Sequence, residues 1–261
     1  MDLGLNNKHA LVLGASQGLG LAVARALLSE GATVTLSGRS IDRLKAARQS
    51  LPEDQQRRCH LALADLSDPD AARKISEAAR SNCPVDILVN NTGGPPPGIP
   101  SGVDVDIVSA QFDAMVRPVL SLTLDLVQAM RAQKWGRIIT IASSGVVQPI
   151  PHLPISNALR STLVGFMKTL AGEVAKDGVT VNMLLPGRIA TSRTLSLDTA
   201  EAERSGRPVG DISAESAATI PAGRYGTVEE FGAVAAFLAS GPASYVTGSM
   251  LRVDGGAIRS I

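Results

Sequence analysis

The sequence predicts a doubly wound α/β fold on a parallel sheet of about seven strands, forming a single domain over residues 1–261. Three observations carry that expectation. Short apolar runs bounded by turn residues alternate with longer segments of helical periodicity, which implies crossover connections and parallel pairing. Glycines crowd the junction between the first apolar run and the first helical segment. The apolar content, 44% of the chain with only 1 Trp, 2 Tyr and 4 Phe, is mostly aliphatic, as expected of a sheet covered by helices on both faces.

Seven runs read as strands: His9–Leu13, Thr33–Ser37, His60–Leu63, Asp86–Asn90, Arg137–Ala142, Thr180–Leu185 and Leu251–Val253. Between them, helical character marks Gly18–Glu30, Ile41–Leu51, Pro69–Ser81, Gln111–Gln133, Ser156–Lys176 and Val228–Ala239. Two stretches break the alternation and read as long loops. One is Thr92–Gly102 with its Pro95-Pro96-Pro97 run, and the other is Arg188–Gly223, rich in Ser, Ala, Gly and charge. Both follow the carboxyl ends of strands, the edge at which open α/β sheets bind ligands.

Twenty-five basic residues against 24 acidic ones leave a net charge of +1, with no basic stripe to follow a line of phosphates. Nucleic acid and membrane surfaces are therefore not expected partners. Cys59 and Cys83 lack the spacing of metal ligands and the number for a disulfide framework, and no hydrophobic leader precedes the first strand. These features predict a cytoplasmic protein with reduced thiols and no metal.

The run Ala10-Leu11-Val12-Leu13 leads into Gly14-Ala15-Ser16-Gln17-Gly18-Leu19-Gly20. Glycines at this spacing let the backbone turn tightly and approach a pyrophosphate, which then rests on the positive end of the helix. Ordinary strand–helix turns also use glycine, but a βαβ unit at the first strand makes this a Rossmann-type dinucleotide loop. A carboxylate at the end of the second strand would bind the ribose of NAD(H). That tip instead reads Ser37-Gly38-Arg39-Ser40, with no acid before Asp42. Arg39, with Ser37 and Ser40, suits a 2′-phosphate and so NADP(H) in preference to NAD(H), although a solvated loop residue is the plainer reading of Arg39.

The order of these motifs resembles the short-chain dehydrogenase/reductase family over essentially the whole chain, and within it the β-ketoacyl-ACP-reductase-like branch. The resemblance rests on the glycine loop, Asp65-Leu66, Asn90-Asn91-Thr92-Gly93, Pro186-Gly187 and the ending Tyr245-Val-Thr-Gly-Ser-Met-Leu-Arg-Val-Asp254-Gly-Gly. It implies that Asp65 accepts from the adenine amino group while Leu66 donates its amide. It implies that Asn91 and Gly93 line the adenosine ribose, with Thr92 in a position usually held by Ala. Pro186, Gly187, Ile189 and Thr191 would cradle the nicotinamide. As a bare sequence, Asn91–Gly94 also reads as a strand-ending turn. The resemblance further implies a dimer or tetramer paired through Gln111–Gln133 and Ser156–Lys176, although buried helices have the same pattern.

The same comparison exposes a gap in the chemistry. Reduction of a carbonyl needs a proton donor and a group that polarises the oxygen. Ser143, after the fifth strand, matches the polarising serine. Thirteen positions on, where the family places Tyr, stands Ser156, and four further on Lys is replaced by Arg160. The family's helical Asn falls on Met115. Ser156 reads as a weak acid or as the N-cap of its helix. Arg160 can still bond the cofactor ribose but does not release a proton. His152, on the Gln148–Pro154 loop, is the nearest imidazole and reads either as the proton carrier or as a surface residue. Arg117 and Arg188 are candidate anion sites. Three functions follow from this reading: an NADP(H)-dependent oxidoreductase acting on a carbonyl or alcohol with an altered site, a nucleotide-binding or regulatory homologue without turnover, and non-redox chemistry on a carbonyl substrate.

Overall fold

A computed structural model describes residues 1–260. Its seven strands are β1 (His9–Val12), β2 (Thr33–Gly38), β3 (Cys59–Leu63), β4 (Ile87–Asn90), β5 (Gly136–Ile141), β6 (Val179–Pro186) and β7 (Met250–Val253). They form one sheet in the order β3-β2-β1-β4-β5-β6-β7, and every pair is parallel. The first three helices are α1 (Gly18–Ser29), α2 (Ile41–Gln49) and α3 (Glu53–Arg57). They are followed by α4 (Ala71–Arg80), α5 (Val105–Met115), α6 (Arg117–Ala132) and α7 (Pro154–Val174). The last three are α8 (Ser192–Ser205), α9 (Val209–Ala218) and α10 (Val228–Ala239). The Rossmann-type doubly wound sheet is therefore observed.

Alternation along the strands divides the core into two layers. Ala10, Val12, Val34, Ile87, Val89, Ile139 and Leu184 pack beneath α1, α2 and α10. Leu11, Leu13, Leu88, Ile138, Val181, Met183 and Leu185 pack beneath α4, α6 and α7. Each fully buried aliphatic side chain contributes roughly 1.5–3 kcal/mol. β1 lies between β2 and β4, and the chain reverses its direction of growth there. The carboxyl ends of β1 and β4 consequently open a crevice, the switch point where such sheets take ligands.

Three expectations need correction. Gln111–Gln133 is not one helix: α5 ends at Met115 and α6 begins at Arg117, with Val116 at φ −105° between them. Pro118 has no amide to give the Ala114 carbonyl and its ring crowds that turn, so the helix breaks before it. Arg188–Gly223 is not a long loop but contains α8 and α9. Its polar composition hid ordinary helix signals. Thr191 accepts from the amide of Thr194 as an N-cap, Gly206 ends α8 at φ 66°, and Pro208 precedes α9. The short helix α3 was also missed, being too brief to show a period.

Candidate active site

The nucleotide loop is made by backbone. Gly14 and Gly18 sit at φ +57° and +58°, where only glycine is at ease. A Cβ on Gly14 would lie 2.8 Å from Nδ2 of Asn91, and one on Gly20 would run into the Gly14 carbonyl. Asn91 donates through Nδ2 to the Gly14 carbonyl at 3.2 Å, which ties the end of β4 to the loop after β1. The amides of Gln17, Gly18, Leu19 and Gly20 make no hydrogen bond among the described residues. Four free donors at the positive end of α1 form an anion seat. The residues present fit a dinucleotide diphosphate.

At the end of β2, Gly38 lies beside Ser16, with 3.7 Å between the Ser16 Cβ and the place a Cβ on residue 38 would take. An acid there would face the loop; glycine leaves the space to Arg39, which is exposed. Ser37 differs from expectation. Its side chain is buried in the sheet, and its carbonyl accepts from the Ala15 amide at 2.9 Å, so it braces the loop. Ser40 caps α2 by accepting from the Arg43 amide at 3.4 Å. Asp65 accepts from the amide and hydroxyl of Ser67 at 3.0 and 2.9 Å. Those two bonds, with the Arg39 charge adding to them, hold its carboxyl below the ordinary range. It is an ionised acceptor at neutral pH, next to a half-buried Leu66.

On the β5 side the side chains carry the site. Ser143 follows β5 and its Oγ accepts from the Gly145 amide at 3.0 Å, leaving its own proton free to donate. Ser156 is not the N-cap. Leu153 holds that position without a capping side chain, Pro154 supplies the first residue of α7, and Ser156 is buried in the first turn at 8% exposure. One turn on, Arg160 donates through Nη1 to the Ile141 carbonyl at 3.0 Å. Its Nη2 donates to the carbonyls of Gly93 at 3.3 Å and Thr92 at 3.5 Å. Burial, with Arg193 as a second and like charge, pushes the Arg160 pKa down to about 10, so it stays a cation near neutral pH. Thr92 is 9% exposed and its hydroxyl has no partner.

His152 is exposed and held at φ 62°, and its carbonyl accepts from the Gly98 amide at 2.8 Å. The loop before α7 is thereby joined to the loop after β4. Asn157, which the sequence reading passed over, accepts from the Ile150 amide at 3.3 Å and donates to the Ile150 carbonyl at 3.0 Å. It closes the same loop around Pro149 and Pro151. Arg193 was missed as well, because its segment read as a loop; a Thr cap followed by a basic first turn was the available signal.

Pro186 ends β6, and the Gly187 amide donates to the Val253 carbonyl at 2.9 Å. Ile189 is buried, while Thr191 stands 3.9 Å from where a Cβ on Gly18 would be. The two halves of the site are thus adjacent. Two expected anion sites already carry a counter-charge. Arg117 is 65% exposed and paired with Asp113 at 2.8 Å, and Arg188 is paired at 2.6 Å with the buried Asp198. Asp198 also accepts from the hydroxyls of Ser213 and Tyr225, each at 2.9 Å. Met115 is buried core. A groove of about 610 Å³ between α1 and α10 reaches Gln17, Gly18 and Thr191 but none of the β5 side. Among the described residues no helix is long and apolar enough to cross a membrane, and no cluster of His, Cys, Asp or Glu could hold a metal.

Residues 14–257 match the family described as Enoyl-(Acyl carrier protein) reductase. Nodulation protein G of Rhizobium sp. (strain N33) is 35% identical over 256 residues, 97% of each chain. The 3-oxoacyl-[acyl-carrier-protein] reductase FabG of Salmonella typhimurium is 34% identical, over 97% of this chain and 98% of its own. Among solved structures, L-sorbose reductase from Gluconobacter frateurii, complexed with NADPH and L-sorbose, superposes with a TM-score of 0.94 at 33% identity, over the full length of both chains.

Proposed function

We propose that this chain, which belongs to the short-chain dehydrogenase/reductase family, is an NADP(H)-dependent, 3-oxoacyl-reductase-like oxidoreductase that interconverts a carbonyl compound and its alcohol at an atypical active site. One observation carries the reading. A nucleotide loop with free amides meets Ser143 and Arg160 at a single sheet edge. NADPH, when bound, supplies the hydride. The amides of residues 17–20 hold the diphosphate, Arg39 the 2′-phosphate, and Asp65 with Leu66 the adenine. Asn91, Thr92 and Gly93 border the adenosine ribose, and Pro186, Gly187, Ile189 and Thr191 border the nicotinamide.

Ser143 donates its free proton to the substrate carbonyl, polarising it. Arg160 bonds the nicotinamide ribose with the donors it does not spend on backbone carbonyls, and its charge favours the developing alkoxide. Ser156 fills the position without acting as an acid, since an aliphatic hydroxyl holds its proton far more tightly than Tyr near 10. His152, fixed by its backbone and by the Gly98 contact, delivers the proton. The test is NADPH consumption against a panel of ketones and aldehydes, together with fluorescence titrations of NADPH and NADH. Equal affinity for both cofactors would remove the role of Arg39.

A second reading, nucleotide binding without turnover, is favoured by the burial of Ser156 and by the three backbone carbonyls that occupy Arg160. Tight NADPH binding with no hydride transfer to any carbonyl is its signature. We also propose that residues 1–261 act as one domain in a homodimer or homotetramer. β7 is an open edge strand that begins at the exposed Met250, and Phe237 and Tyr245 are exposed as well. Two free thiols, Cys59 and Cys83, suit a reducing cytoplasm.

A further inference from the structure

Two guanidinium groups border one space at the catalytic edge with no carboxylate between them. Nη2 of Arg193 and Nη2 of Arg160 lie 3.7 and 4.0 Å from the point a Cβ on Gly94 would occupy. Every hydrogen bond they make goes to a neutral carbonyl: Ile141, Thr92 and Gly93 for Arg160, and Pro95 at 3.3 Å for Arg193. Neither joins an ion pair among the described residues, whereas Arg188, Arg117, Arg207 and Arg224 each sit on an acid. Arg193 also stands in the first turn of α8, where the positive end of the helix opposes a cation. Two like charges and a helix end, without a counter-charge, raise the free energy of the empty site and lower that of a bound anion. The open backbone of Gly93 and Gly94 leaves room for it, since nothing lies within 4 Å of a Cβ on Gly93.

We propose that Arg193, with the charge of Arg160 beside it, receives the carboxylate of an oxo-acid substrate whose carbonyl is held by Ser143, while Arg160 keeps its remaining donors for the nicotinamide ribose; this assignment of substrate class rests on the reductase reading above. Arg160 is anchored to the carbonyl of Ile141, two residues before Ser143. Extended chain advances about 3.3 Å per residue, so that anchor is roughly 6–7 Å along the chain from the polarising hydroxyl. A 2-oxo or 3-oxo acid is the short substrate that can bring its carboxylate to these guanidinium groups while its carbonyl meets Ser143. Planar guanidinium groups match a carboxylate in two-point contact. The residues set substrate choice, and the hydride still comes from NADPH.

The experiment is calorimetric titration of the NADP⁺-loaded protein with pyruvate and acetoacetate, each against its methyl ester, in wild type and in Arg193→Gln. Arg193 is exposed, so the variant keeps the core, and its thermal unfolding verifies this. We expect at least one acid to bind about tenfold or more tightly than its ester, as charge-assisted hydrogen bonds provide, and the ratio to fall to about threefold or less in Arg193→Gln. Equal binding of acid and ester overturns the proposal. So does a ratio unchanged in Arg193→Gln while NADPH itself binds more weakly, which would assign the cations to the cofactor diphosphate. Acid-selective binding without hydride transfer from NADPH would uphold the anion site and remove the reductase reading.

Discussion

The two halves of the site stand on the same sheet edge and are built from different material. Around β1 and β2, backbone makes the site: free amides, glycine conformations and the bracing carbonyls of Gly14 and Ser37. Around β5 and α7, side chains make it: Ser143, Ser156, Arg160 and the His152 loop. A binding surface made of backbone depends on the fold and on a few glycines, so it persists while neighbouring side chains vary. A site made of side chains is rewritten whenever one of them is replaced. Cofactor binding and proton chemistry can therefore separate in one chain without any cost to the core beneath.

The largest effect expected from probing that contrast belongs to the side-chain half. His152→Gln should lower kcat by roughly 100-fold, the size of a general-acid contribution, while leaving the affinity for NADPH unchanged. Steady-state rates with any accepted carbonyl, beside a fluorescence titration, measure both. An unchanged kcat would return His152 to the surface and favour binding without turnover.

On the backbone half, Gly14→Ala should reverse the pattern. Its Cβ would meet Asn91, and its φ of +57° strains an L residue by about 1–2 kcal/mol, so NADPH should bind roughly tenfold more weakly. Wild-type affinity in that variant would show that the loop is not the seat of the diphosphate. Arg39→Ala should have a similar or smaller effect, about 1–2 kcal/mol, confined to NADPH and absent for NADH. A parallel loss for both cofactors would mean that Arg39 supports the loop and not the 2′-phosphate.

The smallest effect comes from the far end of β1, where neither half reaches. His9 is buried, bonded through its ring to Thr35 at 2.9 Å and to the carbonyls of Cys83 and Pro84 at 3.1 and 3.2 Å. Burial lowers its pKa from 6.5. The unfolded chain then binds more protons than the folded one just below pH 6.5, so stability is full above that pH and falls as the pH drops. Thermal melts from pH 7.5 to 5 should lose stability to this group, and His9→Asn should flatten that part of the curve. A melt insensitive to the substitution would place the acid response elsewhere and sharpen any pH effect assigned to the catalytic edge.

What was legible in the sequence follows the same division. The strands and the glycine loop were readable because short apolar runs and glycine spacing are local properties. The loss of Tyr and Lys at 156 and 160 was readable from register alone. Ser156 as a helix cap was not, because Pro154 starts α7 earlier and turns that serine inward. Arg188 and Arg117 looked available for an anion until the fold set Asp198 and Asp113 against them. Arg193 looked like loop charge until α8 formed beneath it.

By itself the sequence determined the layered sheet, the nucleotide loop and the absence of an acid at the end of β2, since each depends on residues close together along the chain. Tertiary structure alone decided which charges are spent and which are free. Ion pairing and desolvation depend on groups brought together from distant segments: Arg160 from α7 and Arg193 from α8 meet over Gly94, at distances no spacing rule encodes.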